Sequence, residues 1–377
     1  MYQRTAERWI RQYLQKNKKI LFLWGPRRSG KTTLLQYVSK KLNVPIFNFD
    51  FQSDREKFTA QRQSLDFLTK GLKVLLIDEV QAYPESTTIL KILVDQYNVQ
   101  IVATGSSELR KKSQDFNSLA GRYIERYCLP FSLEEIHNNN PVPGHEETAF
   151  YASLQNRIQI YGAYPEIWLL SDENQKIELL QTIFDAYVLK DIVTIYNLRN
   201  VKLAKDILTK IALQIGQEVS LREIASSLQT NVMTVSNYVE IFIKNYILIP
   251  LPAFRTNMRR AVSEHKRYYF FDLGIRNILI KDFRNLDLRQ DRGSLFENFI
   301  ISEIEKRRRN YASLISLYFY REYGGKEVDL VVEDYKKIYR CYEIKYSPHR
   351  TSRRVFPIPH SFHPINALNY YTRVQKI

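Results

Sequence analysis

The sequence predicts an α/β protein: a parallel phosphate-loop sheet, then a helical and winged-helix region, then a C-terminal α/β module. Three observations carry that expectation. Residues 20–33 run from an apolar stretch through G-x-x-x-x-G-K-T into an amphipathic segment, the strand–loop–helix context of a phosphate-binding loop. Strand-like runs at 19–24, 45–49, 73–78 and 99–104 alternate with helix-length segments, as parallel strands with helices on both faces do. From about 147 to 245 the apolar period is helical, and from about 267 strand-like runs return.

Residues 1–17 read as a helix, and the first strand then enters the loop Gly25-Pro26-Arg27-Arg28-Ser29-Gly30-Lys31-Thr32-Thr33. Gly25 and Gly30 allow backbone angles closed to other residues, so successive N–H groups can face one anion. The helix starting near Lys31 adds its positive end. Lys31 is expected to reach the β- and γ-phosphates of ATP, and the Thr32 hydroxyl to bind Mg²⁺. Val74–Glu79 reads as a buried strand ending in two acids. Asp78 would hold Mg²⁺ through water, and Glu79 would polarise the attacking water, which suggests hydrolysis as well as binding. Ser106, after the strand Val99–Thr104, is expected at the γ-phosphate or the attacking water, with a helix cap as the alternative.

Length and composition set the frame. The 377 residues are enough for two or three domains, and the apolar and charged fractions, 44% and 25%, are those of a soluble protein. No apolar run approaches the roughly 18 residues of a membrane span, and the first residues do not form a signal peptide, so a cytoplasmic protein without membrane contact is expected. Cys128 and Cys341 are too few for a disulfide framework or zinc cluster, and the six His show no metal-ligand spacing. The net charge of +16, from 56 Lys and Arg against 40 Asp and Glu, favours a polyanionic partner, most simply nucleic acid.

His137–Gly144 reads as a linker, and three modules are expected at 1–140, 147–260 and 265–377. Within the second, 218–255 fits a winged helix-turn-helix. Ser220 caps a first helix, a turn follows at Gln229–Asn231, and a second helix turns Val232, Val235, Val239 and Phe242 inward. Thr234 and Asn237 on that helix, with Arg255, Arg259, Arg260, Lys266 and Arg267 in the region of the wing, are expected to form a nucleic-acid surface, DNA favoured.

In the third module, Glu297 lies in a helix, Glu327 and Asp329 share one strand face, and Glu343 and Lys345 share another. Helix acid, E-x-D and E-x-K in this order resemble the PD-(D/E)xK nuclease core. The resemblance implies Mg²⁺ ligands in Asp329, Glu343 and Glu297, with Lys345 orienting water or stabilising developing charge.

These motifs, with L-I-D-E-V-Q, T-G-S-S, Leu119-Ala-Gly-Arg122, Leu129-Pro-Phe-Ser-Leu-Glu-Glu135, Tyr161–Glu166, Tyr187–Asp191 and Tyr269–Gly274, resemble the prokaryotic AAA+-like ATPases fused to a C-terminal domain of unknown function. The resemblance covers nearly the whole chain. It implies a sheet of AAA+ type, with the acidic strand one strand away from the phosphate-loop strand, and self-association around the nucleotide. In such an oligomer Arg122 would reach a neighbour's γ-phosphate. The leading expectation is an ATPase that engages nucleic acid. A signalling ATPase with protein-binding C-terminal modules and an ATP-gated nuclease are the alternatives.

Overall fold

Ile20–Trp24 carries no charged side chain and forms strand β1, with every residue buried. Its alternate residues serve two cores. Ile20, Phe22 and Trp24 pack with Phe47, Leu75, Ile77 and Ile101 on one face, and Leu21 and Leu23 pack with Ile10, Tyr13, Leu34 and Leu35 on the other. A strand covered on both faces must be apolar throughout, so its period of two does not show in the sequence.

The computed structural model describes residues 2–16, 18–106, 118–186, 200–254, 266–322, 327–348 and 356–377. The chain divides into two units, Met1–Phe131 and Ser132–Ile377. In the first, β1 is joined by β2 (Ile46–Asn48), β3 (Val74–Asp78), β4 (Gln100–Gly105) and β5 (Tyr123–Tyr127). The sheet is parallel throughout, in the order β2-β3-β4-β1-β5. One strand, β4, separates the acidic strand from the phosphate-loop strand, as expected. Helices α1 (Thr5–Lys16), α2 (Lys31–Leu42), α3 (Gln52–Arg55), α4 (Arg62–Thr69) and α5 (Ser86–Gln96) complete the described unit. Strand β5 lies outside the expected set. It is an edge strand whose five residues, Tyr-Ile-Glu-Arg-Tyr, are all half-buried, so it lacks the apolar run that marks β1.

The second unit begins with α6 (Leu133–Asn139), where a linker was expected at 137–144. Ser132 and Glu135 form a reciprocal capping box at its start, which carries the helix into the Asn-rich stretch. Helices α7 (Glu147–Tyr161), α8 (Pro165–Leu169), α9 (Glu173–Ile183) and α10 (Val201–Leu213) follow, then strand β6 (Glu218–Val219). Next come α11 (Leu221–Ser227), α12 (Val232–Lys244), β7 (Leu248–Leu251), β8 (Lys266–Phe270) and α13 (Leu273–Ile280). Strands β6, β8 and β7 form one antiparallel sheet. Because β7 pairs with β8, the expected boundary near 260–265 is not a division of the fold. Val219, Phe242, Leu248 and Phe270 share one core with Ile207, Ile275 and Ile278.

Helix α14 (Arg292–Asn310) leads to a mixed sheet of β9 (Ile315–Arg321), β10 (Glu327–Asp334), β11 (Tyr339–Ile344) and β12 (His360–Ile365), and α15 (Tyr370–Val374) follows. The order is β12-β11-β10-β9, with β12 parallel to β11. The Pro-interrupted tail holding His360 and His363 is therefore a strand. As an edge strand it tolerates proline.

Two sequence motifs meet in one structural lock. Gly162, at φ 76°, passes so close to Asp272 that a Cβ there would sit 1.9 Å from its carboxylate. That carboxylate accepts from the N–H of Ala163 at 2.7 Å and of Gly274 at 2.9 Å. Tyr161–Glu166 and Tyr269–Gly274 are thereby joined. Nearby, the buried Arg276 and Arg289 share the Asp291 carboxylate at 2.6 and 2.9 Å, and Asp291 stands at the N-cap position of α14 without capping it through its side chain. Two guanidiniums with little solvent contact share that carboxylate, with Asp282 3.7 Å from Arg289 as a second one.

Candidate functional site

The nucleotide-site residues converge at one end of the parallel sheet. Gly25 follows β1 and lies against the segment after β5; a Cβ on it would stand 1.9 Å from the Cys128 carbonyl oxygen. Gly30, at φ 92°, caps α2, so the loop Gly25–Gly30 closes onto that helix's positive end. Lys31 is buried, and its ammonium donates to the carbonyls of Gly25 at 2.9 Å and Pro26 at 2.8 Å. Burial lowers the Lys31 pKa, while the negative charge of Glu79 and Asp78 pulls it back up. The first two acidic candidates are therefore neighbours of the phosphate-loop lysine. Thr32 and Thr33 are exposed at the start of α2, and Arg27 and Arg28 lie at the solvent side of the loop.

Asp78 is buried at the end of β3 and accepts from the Thr104 hydroxyl. Glu79 stands in the left-handed region at φ 52°, which turns the chain sharply after the strand. Its carboxylate accepts from the Gln81 side-chain amide, and the Gln81 carbonyl oxygen accepts from the Ser106 N–H at 3.3 Å. Gly105 makes room for that link, because a Cβ there would lie 2.7 Å from Gln81 Oε1. Thr104 and Gln81 were not singled out from the sequence. The T-G-S-S and D-E-V-Q runs contained them, but only the pairing of β3 and β4 ends sets them against the acids.

The site fits a Mg²⁺–nucleotide. The Ser29 and Ser106 hydroxyls are buried with no hydrogen-bond partner among the described residues. A side chain at Gly25 would overlap the segment behind the loop. Thr32 and Asp78 supply the hard oxygen donors such an ion takes.

Arg122 stands elsewhere. It precedes β5, and its carbonyl accepts from the N–H of Ile20, the first residue of β1. In a parallel sheet that places it at the edge opposite the phosphate loop, about 16 Å away over five residues. Its side chain pairs with Asp95 at 2.8 Å. In a single chain the expected finger is thus held in an ion pair, one that it would exchange for a neighbour's γ-phosphate in an oligomer.

In the second unit, Ser220 and Asn231 cap α11 and α12, and Thr234 and Asn237 lie on α12 as expected, Asn237 exposed. Val232 is 42% exposed instead of inward, because it opens the helix before the apolar stripe begins. Arg255, Arg259 and Arg260 lie outside the described residues. Lys266 is half-buried at the start of β8.

Arg267 departs most from expectation. It is buried over the Phe319 ring and pairs with Glu297 at 3.4 Å and with Glu327, so it faces the protein interior and not a nucleic acid. Those carboxylates hold its guanidinium charged despite burial. The Tyr269 hydroxyl also donates to Glu297. Burial, with the Asp329 charge next, raises the Glu297 pKa to about 7. Asp329 accepts from the Ile344 N–H at 2.8 Å and pairs with Lys345 at 3.1 Å. Glu343 is buried on β11, one residue from Ile344.

The helix acid, E-x-D and E-x-K stand on α14, β10 and the end of β11, where Lys345 pairs with Asp329. Among the described residues no group of three or more His, Cys, Asp or Glu is placed to hold a metal ion. Two cations stand among these acids, Arg267 paired with Glu297 and Glu327, and Lys345, itself expected there, with Asp329.

Comparison with known proteins bears on the first unit. Residues 17–137 match the AAA domain family. The first unit, a parallel sheet with a phosphate loop after β1, has a P-loop fold of AAA type. Residues 153–289 and 292–363 match two domains of unknown function, DUF8612 and DUF4143. Two relatives are an uncharacterized protein of Methanocaldococcus jannaschii, 28% identical over 86% of this chain and 75% of its own length, and one of Haemophilus influenzae, 25% identical over 92% and 89%. A solved structure, the Walker-type ATPase of Pyrococcus abyssi, has a TM-score of 0.48 at 16% identity, covering 74% of this chain and 96% of its own. Among the described residues no helix is long and apolar enough to cross a membrane.

Proposed function

We propose that this chain binds and hydrolyses Mg²⁺–ATP in its first unit and engages nucleic acid, DNA above all, through its second. The observation that carries the ATPase reading is the position of Glu79. It follows Asp78 at the end of β3, one strand from the phosphate loop, with its charge felt at Lys31. The loop N–H groups and Lys31 bind and orient the triphosphate. Mg²⁺, held by Thr32 and through water by Asp78, supplies charge neutralisation. Glu79 accepts a proton as the water oxygen bonds to the γ-phosphorus and the bond to the β–γ bridging oxygen breaks, leaving ADP and phosphate. Gln81 and Ser106 fix the carboxylate relative to the end of β4. Lys31→Ala should abolish nucleotide binding. Glu79→Gln should keep binding while lowering the hydrolysis rate about 10²–10⁴-fold. Full hydrolysis by Glu79→Gln refutes its role as base.

The nucleic-acid reading rests on the +16 charge and on α11, the turn and α12 packed against β6, β7 and β8, the arrangement of a winged helix. Thr234 and Asn237 lie on the helix that would enter the groove. Duplex DNA should stimulate ATP hydrolysis, and Thr234→Glu with Asn237→Glu should weaken DNA binding. An unchanged affinity and salt dependence would remove these residues from the interface. With Arg267 paired to Glu297 and Glu327, the nuclease-like core serves this reading as a binding module. A second reading, a nucleotide switch with a protein partner, draws on Met233, 71% exposed beside Val232 at the tip of α12. An ATPase rate indifferent to DNA favours it.

A further inference from the structure

The phosphate loop is held from behind by a residue that precedes the whole ATPase fold. Arg4, before α1, is 7% exposed. One guanidinium nitrogen donates to the Ser29 carbonyl at 2.9 Å, and another donates to the Leu129 carbonyl. Its plane lies 4.7 Å from the centre of the Phe131 ring, on which Tyr2 stacks at 5.0 Å. The Cys128 thiol also reaches the Ser29 carbonyl, at 3.5 Å, and the Cys128 backbone closes against Gly25. The rear of the loop is thus seated on residues 128–129, with Arg4 tying the two together.

The consequence follows from peptide geometry. In a planar trans peptide the C=O and the next N–H point in opposite directions. Pinning the Ser29 oxygen behind the loop therefore aims the Gly30 N–H out of its front, toward the place of the phosphates. Gly30 is also the cap of α2, so the same bond orients the start of the helix that carries Lys31 and Thr32. A planar fork with fixed donor directions holds its two carbonyls at a set angle, whereas an ammonium's donors turn freely on a flexible stem.

We propose that Arg4 is a positioning residue for nucleotide binding: its guanidinium locks the Ser29–Gly30 peptide in the orientation that receives phosphate. This inference rests on the ATP-binding reading above, and the experiment separates the two. Affinity for a fluorescent ATP analogue, steady-state kcat and KM, and thermal unfolding would be measured for the full chain, Arg4→Met, Arg4→Lys, Arg4→Ala and Lys31→Ala. Two charge-assisted bonds are lost in Arg4→Met, so affinity should fall about 10- to 100-fold with a smaller change in kcat. Arg4→Lys should lie between, and millimolar guanidinium should restore part of the affinity of Arg4→Ala. Wild-type affinity in Arg4→Met overturns the proposal. So does a loss in Arg4→Met that follows only its unfolded fraction while guanidinium leaves Arg4→Ala unchanged. If the native chain binds no nucleotide, or binds it equally without Lys31, the ATP reading itself falls.

Discussion

Gln81 shows how one uncharged side chain can govern a charged one. Its amide donates to Glu79 and its carbonyl receives the Ser106 N–H, so both ends are used between the acid of β3 and the end of β4. A carboxylate that must meet a water in one direction loses rate when left to rotate. Gln81→Ala should lower kcat about tenfold with little change in nucleotide affinity, a difference that steady-state kinetics and direct binding would separate. A matching loss of affinity would place Gln81 in the binding of ATP instead. The residue scale is also where the phosphate motif is legible in the amino-acid order. Gly25, Gly30, Lys31 and Thr32 act through neighbouring backbone groups, so their spacing alone encodes the cradle.

At the level of elements, the second unit is fixed by a few buried polar joints. Gly162 at φ 76° meets Asp272, so Gly162→Ala adds both a strained backbone and an overlap. It should destabilise the second unit by about 2–4 kcal/mol in denaturant unfolding. A loss near zero would mean that the 161–166 and 269–274 motifs separate freely. Asp291 is the carboxylate shared by buried Arg276 and Arg289. Asp291→Ala leaves guanidiniums buried without that charge, and about 3–5 kcal/mol should be lost. Asp291→Ala at wild-type stability would show that Asp282 and the Ala212 carbonyl suffice. Helices α7 to α12 were legible as helical, and β7 and β8 as strands, whereas α13 lies where only strands were expected. Their union in one sheet was not, because pairing depends on residues about twenty positions apart, here Leu248 and Phe270.

For the whole molecule, charge is the property that the structure redistributes. Of the basic residues expected to face nucleic acid, Arg267 is spent internally, and Arg122, expected as a finger, is paired with Asp95. Charge also shapes the acid response. The hydrogen bond from Arg284 holds the Asp282 carboxyl down at about 2, with Arg289 adding to it. A depressed carboxyl stabilises the fold above its ordinary value near 3.8, and that stabilisation is lost as pH falls from there toward about 2. Urea midpoints measured between pH 5 and 2.5 should therefore show wild type and Asp282→Asn converging as the pH drops. A gap that stays constant across that window assigns the Asp282 effect to shape and not to charge.

The sequence by itself determined the phosphate loop, the Asp78–Glu79 pair, the parallel α/β order of the first unit, and the helix-turn-helix of the second. Each of these is written in contiguous residues, where spacing, period and caps act over a turn or a strand. Tertiary structure alone decided which charges are available. Arg267 meets Glu297 and Glu327 across 30 and 60 residues, and Arg4 reaches Ser29 and Leu129 across 25 and 125. Burial and ion pairing are properties of neighbours in space. A chain read in order shows an arginine, but only the packed fold shows what already holds it.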